Sequence, residues 1–251
     1  MSEDRELLRK RFLELAERSY SAGIFTFTDF LGLAEQSVLR ECERALRGIK
    51  CTLFGGADGC ERVMARFGAE EELGYSVDFP IICIKAEPKN QKFADKLTHR
   101  DFLGALMNLG IERETLGDIA IIDNVGYIFA NEDIAPYLMS ELTRAKHTAL
   151  VLSITDPPRE ALFRTERRQV QASSERLDAV IAKVFSLSRE EAQLLFPRGL
   201  VFASGREIAS TSYQPKEGEV ISVRGKGRFV YLGTQSLSRK GKLNIAVDLF
   251  I

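Results

Sequence analysis

Apolar residues recur at helical spacing along residues 4–20, where Leu8, Phe12, Leu15 and Ala16 share a face. A second helical run covers residues 29–47. Leu31, Ala34, Val38, Cys42 and Ala45 lie on one side of it, with Thr28 as a candidate N-cap and Gly48 as a candidate C′ residue. KCTLF (50–54) reads as a short strand. It runs into Gly55-Gly56-Ala57-Asp58-Gly59 and then into CERVMARF (60–67), which predicts a helix. From residue 75 the order is clearer. A strand over 77–86 precedes a helix capped by Thr98, with Asp101 three residues on, and ended by Gly110. Strands over 118–123 and 126–130 flank a tight turn containing Asn124. A helix over 132–145 and a strand over 148–154 complete a β-α-β-β-α-β order, the split βαβ arrangement.

Pro157-Pro158 breaks this pattern. The basic, poorly periodic FRTERRQVQASS (163–174), with Arg164, Arg167 and Arg168, reads as a linker able to touch phosphate. Beyond it, Leu177, Val180, Ile181 and Val184 line one face of a helix, with Arg176 and Asp178 at its start. Ser188 and Glu191 form a capping box for the next helix. Arg189 and Gln193, four apart, share a side of it, and Leu194, Leu195 and Phe196 supply core. LVFAS–GREI (200–208) predicts a hairpin, and Lys216-Glu217-Gly218-Glu219 turns into VISVRG (220–225). That strand is expected to end in a glycine-spaced basic tail, Arg224-Gly225-Lys226-Gly227-Arg228. There the backbone can pass close to a phosphate while three cations project. The expected fold class is α+β and multi-domain. A mostly helical α+β region spans 1–74, a split βαβ domain (ferredoxin-like, RRM-like) 75–156, a basic linker 157–173 and a small basic domain 174–251.

Net charge is −1, so overall charge gives no argument for nucleic acid. Its distribution does. Residues 173–251 hold 12 Lys/Arg and 8 Asp/Glu, a net of +4, against 23 and 28, a net of −5, in residues 1–172. That asymmetry aims a polyanion at the C-terminal end. Cys42, Cys51, Cys60 and Cys83 form no CxxC pair, and only His99 and His147 could assist them. Reduced thiols in a cytoplasmic protein, with no metal and no cofactor, are the expectation. The charged N-terminus MSEDRELLRKRF has no secretory h-region, and no stretch approaches the ~20 apolar residues of a membrane span.

Several candidate motifs can be weighed directly. The strand–glycine loop–helix order around residues 50–67 lacks GxxxxGK[ST] and GxGxxG, so a tight turn explains it better than a phosphate loop. His99-Arg100-Asp101 matches a kinase catalytic triplet, but the metal-binding Asn expected five positions on is Leu106. Pseudouridine synthases carry HRLD, whereas this chain reads HRDFLG, at a helix start. Asp101, Asp118 and Asp123 are the carboxylates that an RNA-modifying enzyme would draw on, and caps and turns explain them equally well. RNA-recognition-motif domains stack bases on aromatics of their central strands, and Tyr127 and Phe129 share one face of the third strand.

The C-terminal segment resembles the RNA-binding domain named after small-subunit ribosomal protein S-four, the alpha-L motif. The matching residues are Arg176-Leu177-Asp178, Ser188-Arg189, Ala192, Gly199-Leu200-Val201, Gly218 and Val223-Arg224-Gly225-x-Gly227. Ala203-Ser204 and Pro197 depart from its pattern. The resemblance implies RNA contacts at Arg176, Asp178, Ser188, Arg189 and Gln193, and phosphate contacts at Arg224, Lys226 and Arg228. Over nearly its full length the chain resembles the YlmH family. That resemblance rests on Phe54-x-Gly56 with Glu61-Arg62, His99-Arg100-Asp101 with Leu103-Gly104, Leu109-Gly110-Ile111-x-Arg113 and Gly117-Asp118-Ile119. A second RNA surface is expected at Tyr127, Phe129, His99, Arg100 and Arg113. The family implies binding to structured rRNA and tRNA on the large ribosomal subunit, and the chain is expected to do this as a monomer with no chemistry of its own. It also implies a role in rescuing stalled translation and a link to cell division, with no membrane partner. The rival reading is an RNA-modifying, pseudouridine-synthase-like enzyme that uses the C-terminal domain to hold its substrate.

Overall fold

The computed structural model describes residues 3–46, 48–158, 162–238 and 241–251. It divides into two compact units, Met1–Phe163 and Arg164–Ile251.

The first unit begins with α1 (Glu3–Ala22), whose acidic first turn suits the positive end of a helix dipole. Phe12 and Ala16 are its buried stripe. β1 (Thr26–Phe27), α2 (Leu33–Glu41), β2 (Cys51–Phe54), β3 (Met64–Phe67) and α3 (Glu70–Leu73) follow. The second helix is shorter than its periodicity predicts. Thr28 is no cap: its hydroxyl accepts from the Ala65 amide at 2.9 Å and donates to the Asp29 carbonyl at 2.7 Å. Residues 64–67 are a strand and not the end of a helix. β3 lies between β1 and β2, with Phe67 opposite both Thr26 and Cys51. A central strand buries both faces, so Met64, Ala65 and Phe67 are all covered and no alternation shows in the sequence. The glycine loop closes this hairpin, with Gly56 at φ +100° against the Phe129 ring.

The split βαβ portion comprises β4 (Ile81–Pro88), α4 (His99–Met107), β5 (Leu116–Ile122), β6 (Val125–Asn131), α5 (Ala135–Glu141), β7 (Arg144–Ala145) and β8 (Thr148–Thr155). The sheet order is β5-β6-β4-β8-β7 with antiparallel neighbours, so β6 separates β4 from β5. Asp123 and Asn124 take φ +49° and +66°, the twist that a two-residue hairpin requires. The helix expected over 132–145 is only partly present. A 3-10 turn at Glu132–Ile134 leads into a helix with proline in its first turn, and Arg144–Ala145 pair with β8 instead.

One sheet face packs Ile84, Ala86, Ile128 and Ala130 against Phe102, Leu106 and Leu138. The opposite face is also covered. Cys83, Ala120 and Phe129 pack there with Phe30, Met64 and Leu162, and Tyr127 borders the cluster. Phe129 is 0% exposed, so it is a core residue and cannot stack a base as the sequence reading expects. Tyr127 is half-buried.

The second unit is built on β9 (Thr165–Ala172), α6 (Leu177–Val184), α7 (Arg189–Leu194), β10 (Val201–Ala203), β11 (Arg206–Glu207), β12 (Val220–Val223), β13 (Gly227–Leu237) and β14 (Leu243–Phe250). Its six strands run β11-β10-β12-β13-β14-β9. Two sequence expectations are corrected. Residues 165–172 are no linker but an edge strand, paired with β14 from Thr165↔Phe250 to Ala172↔Leu243. An edge strand that turns only Val170 and Ala172 to the core keeps a polar, linker-like composition. Residues 159–161 of the expected linker lie outside the described residues. The basic tail is a hairpin loop, because Val223 pairs with Gly227 and β13 continues to Leu237. Leu177, Val180, Ile181, Phe196, Val201, Val223, Phe229, Ile245 and Val247 form the core between the helices and this sheet.

Phe129→Ala should destabilise the first unit by about 3–5 kcal/mol, the cost of a large cavity in a closed core. Denaturant unfolding of the full chain measures this, and a loss below about 1 kcal/mol would show that the ring is not closed in.

Candidate nucleic-acid interface

In the second unit the arrangement centres on Asp178, in the first turn of α6 and 0% exposed. Its carboxylate accepts from Nε and Nη2 of Arg176 at 3.2 and 3.1 Å, from Nε and Nη2 of Arg189 at 3.3 Å each, and from Nε2 of Gln193 at 2.8 Å. Arg176 also donates to the Thr211 hydroxyl and Arg189 to the Ser173 hydroxyl, both at 3.3 Å. The arginine side chains remain 37% and 44% exposed. They are braced from beneath while their outer surfaces face solvent. Burial pushes the Asp178 carboxyl up, but hydrogen bonds from Gln193, Arg176 and Arg189 outweigh it and hold the group below the usual carboxylate range.

Two expected contacts therefore take other roles. Asp178 lies too deep to touch RNA and positions the residues that can. The Ser188 hydroxyl accepts from the Glu191 amide at 3.1 Å, and the Glu191 carboxylate accepts from the Ser188 amide at 2.7 Å. That capping box starts α7 and so aims Arg189 and Gln193. The exposed loop Arg224-Gly225-Lys226 joins β12 to β13. The Arg224 guanidinium lies 5.1 Å from the Phe202 ring centre and that of Arg228 lies 4.1 Å from the Phe250 ring centre. Lys226 helps to lower the Glu191 carboxyl, after the hydrogen bonds from Ser188, which places the loop beside α7. Ser173 and Thr211, the hydroxyls behind the arginines, carried no sequence signal, because each is tied to its arginine only through the fold.

In the first unit, residues from separate sequence motifs meet at the start of β5. The Asp118 carboxylate accepts from the amides of Glu61 and Arg62. The Arg62 guanidinium donates to the carbonyls of Leu116 (2.9 Å), Phe30 (2.8 Å) and Arg113 (3.2 Å). Arg113 Nη1 donates to the carbonyls of Leu116 (2.6 Å) and Gly117 (3.2 Å). Desolvation and the neighbouring Arg62 charge bring Arg113 down to about 10. His99 and Arg100 are exposed in the first turn of α4. Desolvation and the Arg113 charge lower His99 from its ordinary value. The carboxylates that a modification enzyme would draw on have structural partners. Asp101 accepts from the Thr98 amide and hydroxyl at 2.8 and 2.6 Å, and Asp123 occupies the hairpin turn.

Among the described residues no group of three or more His, Cys, Asp or Glu is placed to hold a metal ion. Burial pushes the Cys51 and Cys83 thiols up to about 11 and 12 and raises Cys42 as well, so these sulfurs stay protonated at neutral pH. Among those residues, too, no helix is long and apolar enough to cross a membrane.

The family model described as "Putative RNA-binding domain in YlmH" matches residues 76–156, the span of the split βαβ portion. The curated "Ribosome-associated protein quality control protein P2" of Bacillus subtilis (strain 168) is 30% identical over 227 residues, covering 88% of this chain and 86% of the relative. The chain belongs to the YlmH family. A solved structure, "Cell division protein ylmH from Streptococcus pneumoniae", covers 62% of this chain and 93% of its own at 20% identity and a TM-score of 0.49. In this YlmH-family chain, the motif residues Glu61-Arg62, Arg113 and Gly117-Asp118 are joined by hydrogen bonds, and His99 feels the charges of Arg113 and Asp118.

Because the folded Asp178 carboxyl is held below its unfolded value, its contribution to stability is present above about pH 4 and fades as pH falls through the lower folded value. Asp178→Asn should remove that acid-side dependence. At neutral pH it should cost about 1–3 kcal/mol, because two guanidinium groups lose their charged acceptor. Urea titrations of both proteins between pH 2.5 and 7 provide the check, and parallel stability profiles would refute the assignment.

Proposed function

We propose that the chain is a non-catalytic RNA-binding protein that works on the ribosome. On this reading it holds structured rRNA or tRNA at the large subunit during rescue of stalled translation. The observation that carries the reading is the Asp178 network. It holds Arg176, Arg189 and Gln193 together, outward-facing, on a rigid base. With the Nε/Nη2 fork of each arginine given to Asp178, the N–H groups on the exposed edges remain for charge-assisted bonds to phosphate oxygens, and little side-chain freedom is left to lose on binding. The Arg224–Arg228 hairpin supplies further cations beside α7. Such a surface reads backbone and shape more than sequence, as expected for folded RNA.

The family relationship supports the ribosomal setting, through a relative named for ribosome-associated quality control. Asp101, Asp118 and Asp123 serve a helix cap, two backbone amides and a turn, so the structure gives no particular support to the modifying-enzyme reading.

Arg176→Ala combined with Arg189→Ala should reduce co-sedimentation with purified large ribosomal subunits by at least about tenfold, with a weaker dependence of affinity on salt. Because the two changes strip both cations from the buried Asp178 carboxylate, they are made together with Asp178→Asn, and the melting curve of that variant must show a folded second unit. Sedimentation equal to that of the parent protein would remove this face from the binding site.

A further inference from the structure

Arg176 occupies the N-cap of α6, a position where serine, threonine or aspartate would ordinarily accept a bond from the free amides of the first turn. An arginine side chain has no acceptor to offer, and this one is committed to Asp178. The amides are satisfied from another part of the chain. The Leu177 amide donates to the Tyr213 carbonyl at 2.7 Å and the Asp178 amide to the Thr211 carbonyl at 3.4 Å. Both carbonyls belong to residues 209–219, the connection from β11 to β12, which straps the start of α6. The same strap turns the Thr211 hydroxyl onto Arg176.

The strap is itself pinned. The Tyr213 hydroxyl donates to the two carboxylate oxygens of Glu219, each at 2.9 Å, and that carboxylate also accepts from the Lys216 amide at 2.9 Å. The turn that carries Glu219 is fastened to β13. The Gly218 amide donates to the Tyr231 carbonyl at 2.8 Å, and the Tyr231 amide donates to the Glu219 carbonyl at 2.9 Å. Tyr213 packs against the core of the second unit. Burial and the Glu219 carboxylate push its phenol up, so it stays protonated and able to donate at neutral pH. An unbroken run of contacts therefore leads from β13 through Glu219 and Tyr213 to Thr211 and Arg176.

We propose that Tyr213 and Glu219 are positioning residues for RNA binding, which act through Arg176. The inference rests on the RNA-binding reading above. The phenol–carboxylate bond holds the strap, and the strap holds Arg176 in two ways: its carbonyls fix the backbone at the helix start, and Thr211 steadies the guanidinium. Without that bond only Asp178 is left to aim Arg176, and the side-chain freedom regained must be lost again on binding. The strap also decides how an anion can be held here. The Ala179 and Val180 amides donate to the Arg176 carbonyl, so each of the first four amides of α6 has an acceptor. The helix N-terminus is closed to phosphate, and the side chains must carry the contact.

The test is a double-mutant cycle on the full chain, with affinity for purified large ribosomal subunits taken from pelleting titrations. Tyr213→Phe keeps the ring and removes only the hydroxyl, and it should weaken binding by at least about threefold. Arg176→Ala should weaken it by about tenfold. Combined with Arg176→Ala, Tyr213→Phe should cause no further loss, because the residue it positions is gone. Melting curves establish that each variant is folded at the assay temperature. If Tyr213→Phe is not, the cycle is run with Glu219→Gln, which weakens the bond but keeps an oxygen for the phenol. A strap with a merely structural role would lower affinity by the same factor in both backgrounds. That result, or a Tyr213→Phe protein that binds like the parent while Arg176→Ala binds weakly, overturns the positioning role and leaves the RNA-binding reading standing. If the parent does not bind subunits, or Arg176→Ala binds as well as the parent, the reading of this face falls and the positioning role falls with it.

Discussion

A carboxylate withdrawn from water is stable only if cations and hydrogen-bond donors surround it. Asp178 imposes that condition on the second unit. Its carboxylate is satisfied by Arg176 at the start of α6 and by Arg189 and Gln193 of α7, so the two helices are tied at their polar ends as well as through Val180, Ile181 and Phe196. The same bonds take two long, mobile side chains and hold each in one arrangement. Ordering such a side chain costs up to about 2 kcal/mol of rotamer entropy, and here folding meets that cost before any ligand arrives. An arginine that is already aimed binds an anion more tightly than a free one making the same contact.

The first unit handles its half-buried cations by another route. Arg62 and Arg113 are half-buried, and their hydrogen-bonded partners are backbone carbonyls. Carbonyl dipoles satisfy the donors without cancelling the charge, which is why each guanidinium is displaced downward from its ordinary value by desolvation. Asp118, the carboxylate that could have paired with them, is occupied by the amides of Glu61 and Arg62. The result is a rigid joint between the glycine-loop hairpin and β5 that keeps positive charge near the surface. This joint also explains why the sheet keeps the split βαβ topology without offering an open face. The elements that bring Arg62 to β5 bring Phe30 and Met64 onto Phe129.

Much of this fold was legible in the chain itself. The helical stripe of Phe12 and Ala16, the Thr98–Asp101 and Ser188–Glu191 caps, the Asn124 turn and the β-α-β-β-α-β order are local signals, set by side-chain spacing and turn chemistry within a few residues. The candidate residues Arg176, Arg189, Gln193, Arg224, Lys226 and Arg228 were likewise recognisable by type and order. Local signals failed where burial depended on distant partners. Met64–Phe67 lost its alternation because both strand faces are covered, and Thr165–Ala172 looked like a linker because an edge strand faces mostly water.

The sequence alone therefore determined which residues carry charge, where the helices are capped and which order the βαβ elements take, because these depend on near neighbours. Only the tertiary structure decided what the charges do. It turned Asp178 from a candidate contact into the support of two arginines, buried Phe129 beneath Phe30 and Met64, and drew Arg62, Arg113 and Asp118 into one joint. Burial and hydrogen-bond partnership across tens of residues are properties of packing, and no spacing along the chain encodes them.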